Sequence, residues 1–262
     1  MKQLSSFRIG FGALALALAL PATAQEHAPL RLDLNIPELV LRVYEGDRLL
    51  KSYPVSVGLP GHATPAGDFT VTRAEWNPWW RPPAREWAKD DKITPPGPNN
   101  PMGRVKLFFA PLYYLHGTPH EKDLGNPASH GCVRMKNADV IALGRLLHER
   151  AEPTFPGSEI TAVLARSGAT RVAGFRAPVP LTIRYEPIQV VDGELRIFRD
   201  IYRRGRIHSE GVYQALMAAG YDPTRVPHAD VTALLRRARA SSGKVFVSPI
   251  DEALPTVRMV AR

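Results

Sequence analysis

Residues 76–103 limit the fold most strongly, because this segment is dense in proline and tryptophan. It reads Trp-Asn-Pro-Trp-Trp-Arg-Pro-Pro at its start and Pro-Pro-Gly-Pro-Asn-Asn-Pro-Met-Gly at its end. Proline lacks a backbone N–H and fixes φ, so the segment can be neither a central strand nor a helix interior. Long ordered loops in compact domains often bind ligands or act as lids. We therefore expect a long loop whose tryptophans, Trp76, Trp79 and Trp80, either line a groove or pin the loop to the core.

The segments on both sides of this loop are typical of β-strands. Residues 39–43 and 48–57 are β-rich and flank Glu-Gly-Asp, which suits a hairpin. Similar runs cover 68–73, 105–116, 181–191 and 194–198, the last two joined by Asp-Gly. Helical spacing of apolar residues is found over 138–150, with Asn137 as its N-cap, and a shorter helix is expected over 159–166. The pattern predicts a mainly β domain with a few helices.

The region after residue 200 has a different character, with helical runs near 210–219 and 230–240. We expect a basic helical extension over residues 203–262. Its arginines are more often a solvated helix face than a binding site. They are Arg203, Arg204, Arg206, Arg236, Arg237 and Arg239. The extension is either a tail packed on the domain or an arm that binds a partner.

The first 24 residues are predicted to be a secretory signal peptide. Lys2 and Arg8 precede or flank an apolar run over 9–20, and Ala-Thr-Ala follows at 22–24. The alternative, an uncleaved anchor, is disfavoured because this run is short of the ~20 residues that span a bilayer. Cleavage lowers the net charge from +9 to +7. We expect an exported, periplasmic or wall-associated chain without a membrane span, whose basic field meets anionic envelope polymers rather than nucleic acid.

A single cysteine excludes an internal disulfide and leaves an inert, a bridging or a reactive thiol. Its surroundings are Ser-His-Gly-Cys-Val-Arg-Met at 129–135, preceded by His-Gly-Thr at 116–118. An imidazole near a thiol lowers the thiol pKa and stabilises a thiolate–imidazolium pair. We expect His116 to end a strand and Cys132 to open a loop before a helix, so that both face one cleft. Gly131 would let a substrate approach the backbone, and nearby amides would bind an oxyanion.

Zinc is the rival interpretation for histidines close to a cysteine. His116, His130 and Cys132 lack the paired short spacings of structural zinc sites, and a catalytic zinc needs a further ligand. We therefore expect no metal.

The histidine followed by Ser-His-Gly-Cys-Val-Arg resembles the active-site signature of the L,D-transpeptidase catalytic domain, also called the YkuD domain. The resemblance extends to residues 39–57, to Thr-Pro-Ala-Gly-Asp-Phe at 64–69, and to residues 96–103, and it covers roughly 32–198. Residues 178–202 are similar to the ends of YcbB-type members, although the long additional domains of those proteins are absent. The family fold implied is a β-sandwich, here expected over residues 25–202.

The resemblance implies roles for individual residues. Cys132 becomes the acylated nucleophile and His116 its proton donor and acceptor. The remaining positions, expected to shape the pocket or bind substrate, are Ser129, His130, Gly131, Arg134, Gly117, Trp79, Trp80 and Asn100. Arg134 has two interpretations, a two-pronged carboxylate ligand or a salt bridge that holds the loop.

The activity implied is transfer of an acyl group from a peptidoglycan tetrapeptide stem to an amine, with no cofactor and with a monomeric enzyme. The amine belongs to a neighbouring stem or to an outer-membrane lipoprotein. Water as the acceptor would make the protein a hydrolase instead. A catalytically silent wall-binding protein is the alternative from another class.

Overall fold

The computed structural model of this protein describes residues 27–151, 155–166 and 168–260. The predicted signal peptide lies outside these residues. The strands are β1 (Leu30–Asn35), β2 (Val40–Glu45), β3 (Arg48–Ser56), β4 (Gly67–Trp76), β5 (Val105–Ala110), β6 (Tyr113–Thr118), β7 (Val133–Lys136), β8 (Arg171–Arg184), β9 (Ile188–Val191), β10 (Glu194–Phe198), β11 (Tyr221–Asp222), β12 (Val245–Pro249) and β13 (Arg258–Met259). The helices are α1 (Asn137–Ala151), α2 (Gly157–Ala165), α3 (Ser209–Ala218), α4 (His228–Ala240) and α5 (Ile250–Ala253). Within this described part, no helix has the length and apolar character needed to span a membrane.

Eight strands form one closed sheet in the order β1-β2-β3-β7-β6-β5-β4-β8. Most neighbours are antiparallel, but β1 pairs with β8 and β6 pairs with β7 in parallel. Alternation decides which side chains face inward: on β2, Leu41 and Val43 are fully buried, whereas Arg42 and Tyr44 lie on the outer face. The predicted mainly β class is confirmed, and the layers expected of a sandwich are joined into a single closed sheet.

The barrel is filled by aliphatic side chains from nearly every strand, and helix α1 contributes Val140, Leu143 and Leu147 to the same core. Trp76 is fully buried in this core. Its indole Nε1–H donates a hydrogen bond to His148 Nε2 of α1 at 3.1 Å. Trp76 therefore fixes the end of β4 under the helix and does not line a groove.

Residues 77–103, named the proline loop from here on, form a long loop like the one predicted over 76–103, although Trp76 belongs to β4. Its base is closed, because the Asn77 amide donates to the Arg104 carbonyl at 2.9 Å. Inside it, Trp80 and Thr94 exchange backbone hydrogen bonds of 2.9 and 3.0 Å. The loop is thus ordered by its own backbone and extends from the end of β4 to the start of β5.

Three local expectations need correction. The strand expected over 105–116 is a hairpin of β5 and β6, reversed near Leu112, whose φ is +65°. The strand expected over 181–191 is two strands, β8 of the barrel and β9 of another sheet. Asn137 does not cap α1 through its side chain, which instead accepts from the Arg104 amide at 2.9 Å and donates to the Thr118 carbonyl at 3.0 Å.

Residues 186–260, named the C-terminal unit, build a second core. Strands β9, β10 and β12 form a three-stranded sheet with β10 in the middle. Ile188, Leu195 and Ile197 from this sheet pack with buried residues of α3 and α4. The expected helical extension therefore also contains strands, and its core begins before residue 203. Strands β9 and β10, which precede residue 202, share this core with the residues that follow it. A domain boundary at residue 202 stays a prediction.

Candidate active site

Cys132 and His116 are brought together by the parallel pairing of β6 and β7. Leu115 lies opposite Val133, and His116 lies opposite Arg134. Cys132 directly precedes β7, so the cysteine and the histidine belong to adjacent strands. A four-residue strand, rather than the loop expected from the sequence, separates Cys132 from helix α1. Both side chains are thereby attached to the rigid sheet of the barrel.

Residues 129–135, named the nucleophile segment, are held by their own hydrogen bonds. The buried Ser129 hydroxyl donates to the Cys132 carbonyl at 2.5 Å and accepts from the Gly131 amide at 3.1 Å. Gly131 has φ +111°, and a Cβ at this position would lie 2.7 Å from the Tyr113 ring. Gly131 is therefore required by the backbone and by packing. Its own amide already donates to Ser129, so an oxyanion would have to be bound by other amides near Cys132, which stays a prediction.

Thr64 and Tyr202 support the nucleophile segment from outside. The Thr64 hydroxyl donates to the Gly131 carbonyl and accepts from the Gly58 amide, both at 2.9 Å. The Thr64 amide donates to the Tyr202 hydroxyl at 3.0 Å. The Tyr202 ring stacks on Tyr185 at 5.4 Å between centroids. Sequence reasoning matched residues 64–69 and 200–202 to the family but gave Thr64 and Tyr202 no role.

His116 is almost completely buried and lies with Nδ1 2.6 Å from the Gly117 carbonyl oxygen. This contact fixes the tautomer, because Nδ1–H must donate to the carbonyl and Nε2 is left as the basic nitrogen. Burial lowers the pKa of His116 to about 3, and the nearby positive charge of Arg134 acts in the same direction. Gly117 cannot be replaced easily, since a Cβ there would lie 2.2 Å from Asn137 Oδ1.

Cys132 is half-buried, and its Sγ–H points to the Leu112 carbonyl at 3.5 Å. Burial raises the pKa of the thiol to about 11, although a backbone contact with Tyr114 and the charges of Arg134 and Lys106 partly offset this. Among the described residues, no hydrogen bond joins Cys132 to His116. Both pKa shifts favour a neutral thiol beside a neutral imidazole at rest, whereas the thiolate–imidazolium pair stays a prediction.

Arg134 places a positive charge near both Cys132 and His116. Its Nε is buried without a hydrogen-bond partner in the described structure. Burial lowers its pKa, whereas Cys132 and Asp123 act in the opposite direction. No carboxylate of the described residues lies within ion-pair distance of its guanidinium. The salt-bridge interpretation is therefore not supported, and the group is available to a carboxylate ligand.

His130 is exposed and stacks on Trp87 of the proline loop, with centroids 4.0 Å apart and planes 2° from parallel. His62 meets the same imidazole edge-on at 4.6 Å, and Trp80 lies 6.4 Å from Trp87 on the far side. This row of rings connects the proline loop to the nucleophile segment. Sequence reasoning missed Trp87 and His62; the tryptophan content of the loop was the only signal for Trp87.

The remaining predicted substrate contacts lie within the proline loop. Trp79 is half-buried, and the Arg81 guanidinium lies 5.7 Å from its ring centroid. Asn100 is completely buried; its amide donates to the carbonyls of Pro78, Thr94 and Pro95, and its oxygen accepts from the Met102 amide. The side-chain polar atoms of Asn100 thus hold the loop together, and its expected contact with substrate stays a prediction.

No group of three or more histidine, cysteine, aspartate or glutamate side chains is placed to hold a metal ion in the described ranges 27–151, 155–166 and 168–260. The arrangement beside Cys132 instead contains a thiol, a neutral base and an unpaired cation. These groups are suited to nucleophilic acyl transfer on an acidic substrate.

Comparison with known proteins agrees with this geometry. Residues 29–155 match the family YkuD, described as the L,D-transpeptidase catalytic domain. The probable L,D-transpeptidase ErfK/SrfK of Salmonella typhimurium is 35% identical over 132 residues, 47% of this chain and 41% of that protein. The putative L,D-transpeptidase YkuD of Bacillus licheniformis is 31% identical over 120 residues, 45% of this chain and 61% of that protein.

The chain thus spans about half the length of these curated relatives. Among solved structures, the L,D-transpeptidase from Mycobacterium smegmatis aligns with 60% of this chain and 59% of its own at 15% identity and a TM-score of 0.36. Because the family match includes Cys132, His116 and the segments that hold them, residues 29–155 belong to the L,D-transpeptidase catalytic domain family.

Proposed function

We propose that this protein is an exported L,D-transpeptidase that acts on peptidoglycan stem peptides through Cys132. The observation that carries the proposal is the combination of a thiol, a neutral imidazole of fixed tautomer and an unpaired guanidinium at the junction of β6 and β7. The family match of residues 29–155 supports the same reaction class.

The first half of the reaction forms a thioester. Cys132 Sγ attacks the carbonyl carbon of the L,D amide in a tetrapeptide stem while His116 Nε2 takes the thiol proton. This transfer happens as the bond forms, because the two groups are neutral at rest. Rotation about the Cys132 side chain moves Sγ from Leu112 to His116. The C–N bond then breaks, His116 returns its proton to the leaving amine, and D-alanine departs.

The second half transfers the acyl group to an amine. The amine nitrogen attacks the thioester carbonyl, its proton passes through His116 Nε2, and Cys132 leaves as a thiol. One amide bond is broken and one is formed, so the reaction needs no oxidant, reductant or cofactor. An amine on a neighbouring stem gives a 3-3 cross-link.

Arg134 supplies recognition of the acidic stem. A guanidinium without a counter-ion is stabilised most when a carboxylate pairs with it through two parallel hydrogen bonds. Its charge also stabilises the thiolate that develops during attack and departure. A stem carboxylate is therefore expected to lie next to β7 during catalysis.

The test is incubation of the mature protein and its Cys132→Ala variant with purified tetrapeptide muropeptides, followed by mass spectrometry. Dimers that have lost one D-alanine, formed only by the unmutated protein, are the expected result. Tripeptide monomers would assign a hydrolase, and product formation only with a lipoprotein present would assign an amine of that lipoprotein as the acceptor. If Cys132→Ala retains the cellular effect of the unmutated protein, a silent wall-binding protein would replace the enzyme.

A further inference from the structure

A groove of about 560 Å³ lies between the outer face of the barrel and the C-terminal unit. Arg42 and Tyr44 of β2 form one side, and β9 and α3 form the other. Arg42 lies opposite Ser52, whereas Arg134 lies opposite Ser56 on a strand beyond β3. With ~3.3 Å per residue and ~4.8 Å between strands, the groove is roughly 20 Å from Cys132. It is therefore a site separate from the catalytic one.

The lining of this groove is polar but nearly balanced in charge. Arg42 pairs with Glu38, and Arg184 donates to Asp33 at 2.6 Å and to Glu186 at 2.5 Å. Of the guanidiniums in the lining, only Arg206 has no acidic partner among the described residues. An anionic polymer would gain little electrostatic binding energy from guanidiniums that are already paired with carboxylates. The lining fits a polar ligand of low charge.

The groove also runs along an open strand edge. Four consecutive residues of β9 line it, and consecutive side chains point to opposite faces, so the edge of β9 faces the groove. β9 pairs only with β10 and is the outer strand of its sheet. Its outward N–H and C=O groups lack a partner strand, and they match a ligand that offers amide donors and acceptors.

Helix α3 gives this groove a smooth side. Gly211, Ala215 and Ala218 of this helix and the following Ala219 line the groove, with Gln214 beside them and Gln189 on the opposite strand. Small side chains let a ring approach closely, and carboxamides and paired guanidiniums offer fixed donors and acceptors to hydroxyl groups. The cavity volume is within the range of ~300–1,000 Å³ that ordinary ligand sites have.

We propose that this groove binds a glycan strand of N-acetylated amino sugars, the backbone of peptidoglycan, and so holds the enzyme on its substrate. The sugar hydroxyls meet Gln189, Gln214 and the paired arginines, and the acetamide groups meet the open edge of β9. A peptide that extends the sheet is disfavoured, because an edge of four residues is short for strand addition. This inference rests on the proposed action on peptidoglycan.

The test measures binding of a linear N-acetylglucosamine tetramer to the mature protein by calorimetry. Ala218→Trp places an indole into the groove at an exposed position and is expected to weaken binding about tenfold or more. Met217→Trp, on the same helix but outside the lining, is the matched control and should bind like the unmutated protein. Retention on peptide-free glycan strands should follow the same order.

Both variants should retain full turnover of soluble tetrapeptide muropeptides, because neither position touches the catalytic residues. Glycan binding that Ala218→Trp does not change, or no binding at all, would overturn the groove proposal while leaving the activity intact. Binding of sugar-free peptide that Ala218→Trp removes would assign a peptide as the occupant instead. Groove-dependent glycan binding without any transpeptidation would instead reject the catalytic proposal alone.

Discussion

The nucleophile segment and the proline loop meet at the same site but are held by different forces. The nucleophile segment is fixed by short hydrogen bonds from Ser129 and Thr64, and a glycine fits its strained turn. The proline loop is fixed at its base by its own backbone, whereas its outer part contacts the nucleophile segment through the stacked rings of Trp87 and His130. Hydrogen bonds specify position more sharply than ring stacking does. Substitutions in the first region should therefore cost more activity than those in the second.

Among the substitutions compared, His116→Ala should give the largest loss of turnover rate. General base catalysis contributes about 10²–10⁴-fold, and His116 is the histidine on the strand next to the one that Cys132 precedes. The check is the rate of tetrapeptide turnover measured by mass spectrometry, with circular dichroism to verify folding. A loss below tenfold in a folded variant would contradict the role of His116.

The titration of Cys132 should differ strongly from that of an ordinary thiol. Burial raises its pKa to about 11, so the thiolate is scarce at neutral pH and increases as pH rises towards that value. Alkylation by iodoacetamide at pH 7 should be roughly 100-fold slower than for a thiol of pKa about 8.5. A rate that is already constant below pH 8, and that falls in His116→Ala, would instead indicate a resting ion pair.

Ser129→Ala should lower turnover by about tenfold to a hundredfold, because a buried Gly131 amide and the Cys132 carbonyl each lose a partner. The effect should appear in kcat rather than KM, since Ser129 positions the nucleophile and does not face substrate. Ser129→Thr, which keeps the hydroxyl, is the matched variant and should recover part of the loss. Equal losses in both variants would argue that packing, not hydrogen bonding, is decisive.

Tyr202→Phe should reduce kcat by a few fold at most. It removes one hydrogen bond, to the Thr64 amide, and leaves the stack on Tyr185 in place. Thr64→Val, which removes the hydroxyl bonded directly to Gly131, should cost more. Steady-state kinetics of the two variants would show whether the effect on kcat decreases with distance from Cys132. A larger loss of kcat in Tyr202→Phe than in Thr64→Val would contradict that expectation.

Trp87→Phe should have the smallest effect, because a smaller ring still stacks on His130. Trp87→Ala removes the stack and should mainly raise KM, since the tip of the proline loop loses its contact with the nucleophile segment. The measurement is the dependence of rate on muropeptide concentration for both variants. A loss in kcat as large as that of Ser129→Ala would erase the distinction between the two regions.

The sequence predicted most of the strands, the proline loop and the stretch that contains the nucleophile. Alternating apolar residues gave β2 and β3 within a residue or two. Proline content predicted neither a central strand nor a helix interior over 76–103, where the structure has the end of β4 at Trp76 and a short 3₁₀ helix at Glu86–Ala88. The break after β8 was missed, because β9 is just as apolar but pairs in another sheet. The burial of Asn100 and its hydrogen bonds within the proline loop were not foreseen, because an exposed and a buried asparagine look the same in a sequence.

The sequence by itself determined which groups the candidate site contains, since the single cysteine, the histidine before it and the arginine after it form a specific pattern. Only the tertiary structure decided the protonation of the pair, because burial of His116 and Cys132 comes from residues far away in the chain. It also decided that Thr64 and Tyr202, 138 positions apart, join in supporting the nucleophile segment. Local patterns report which groups are present, whereas long-range packing fixes their solvent, their charge state and their neighbours.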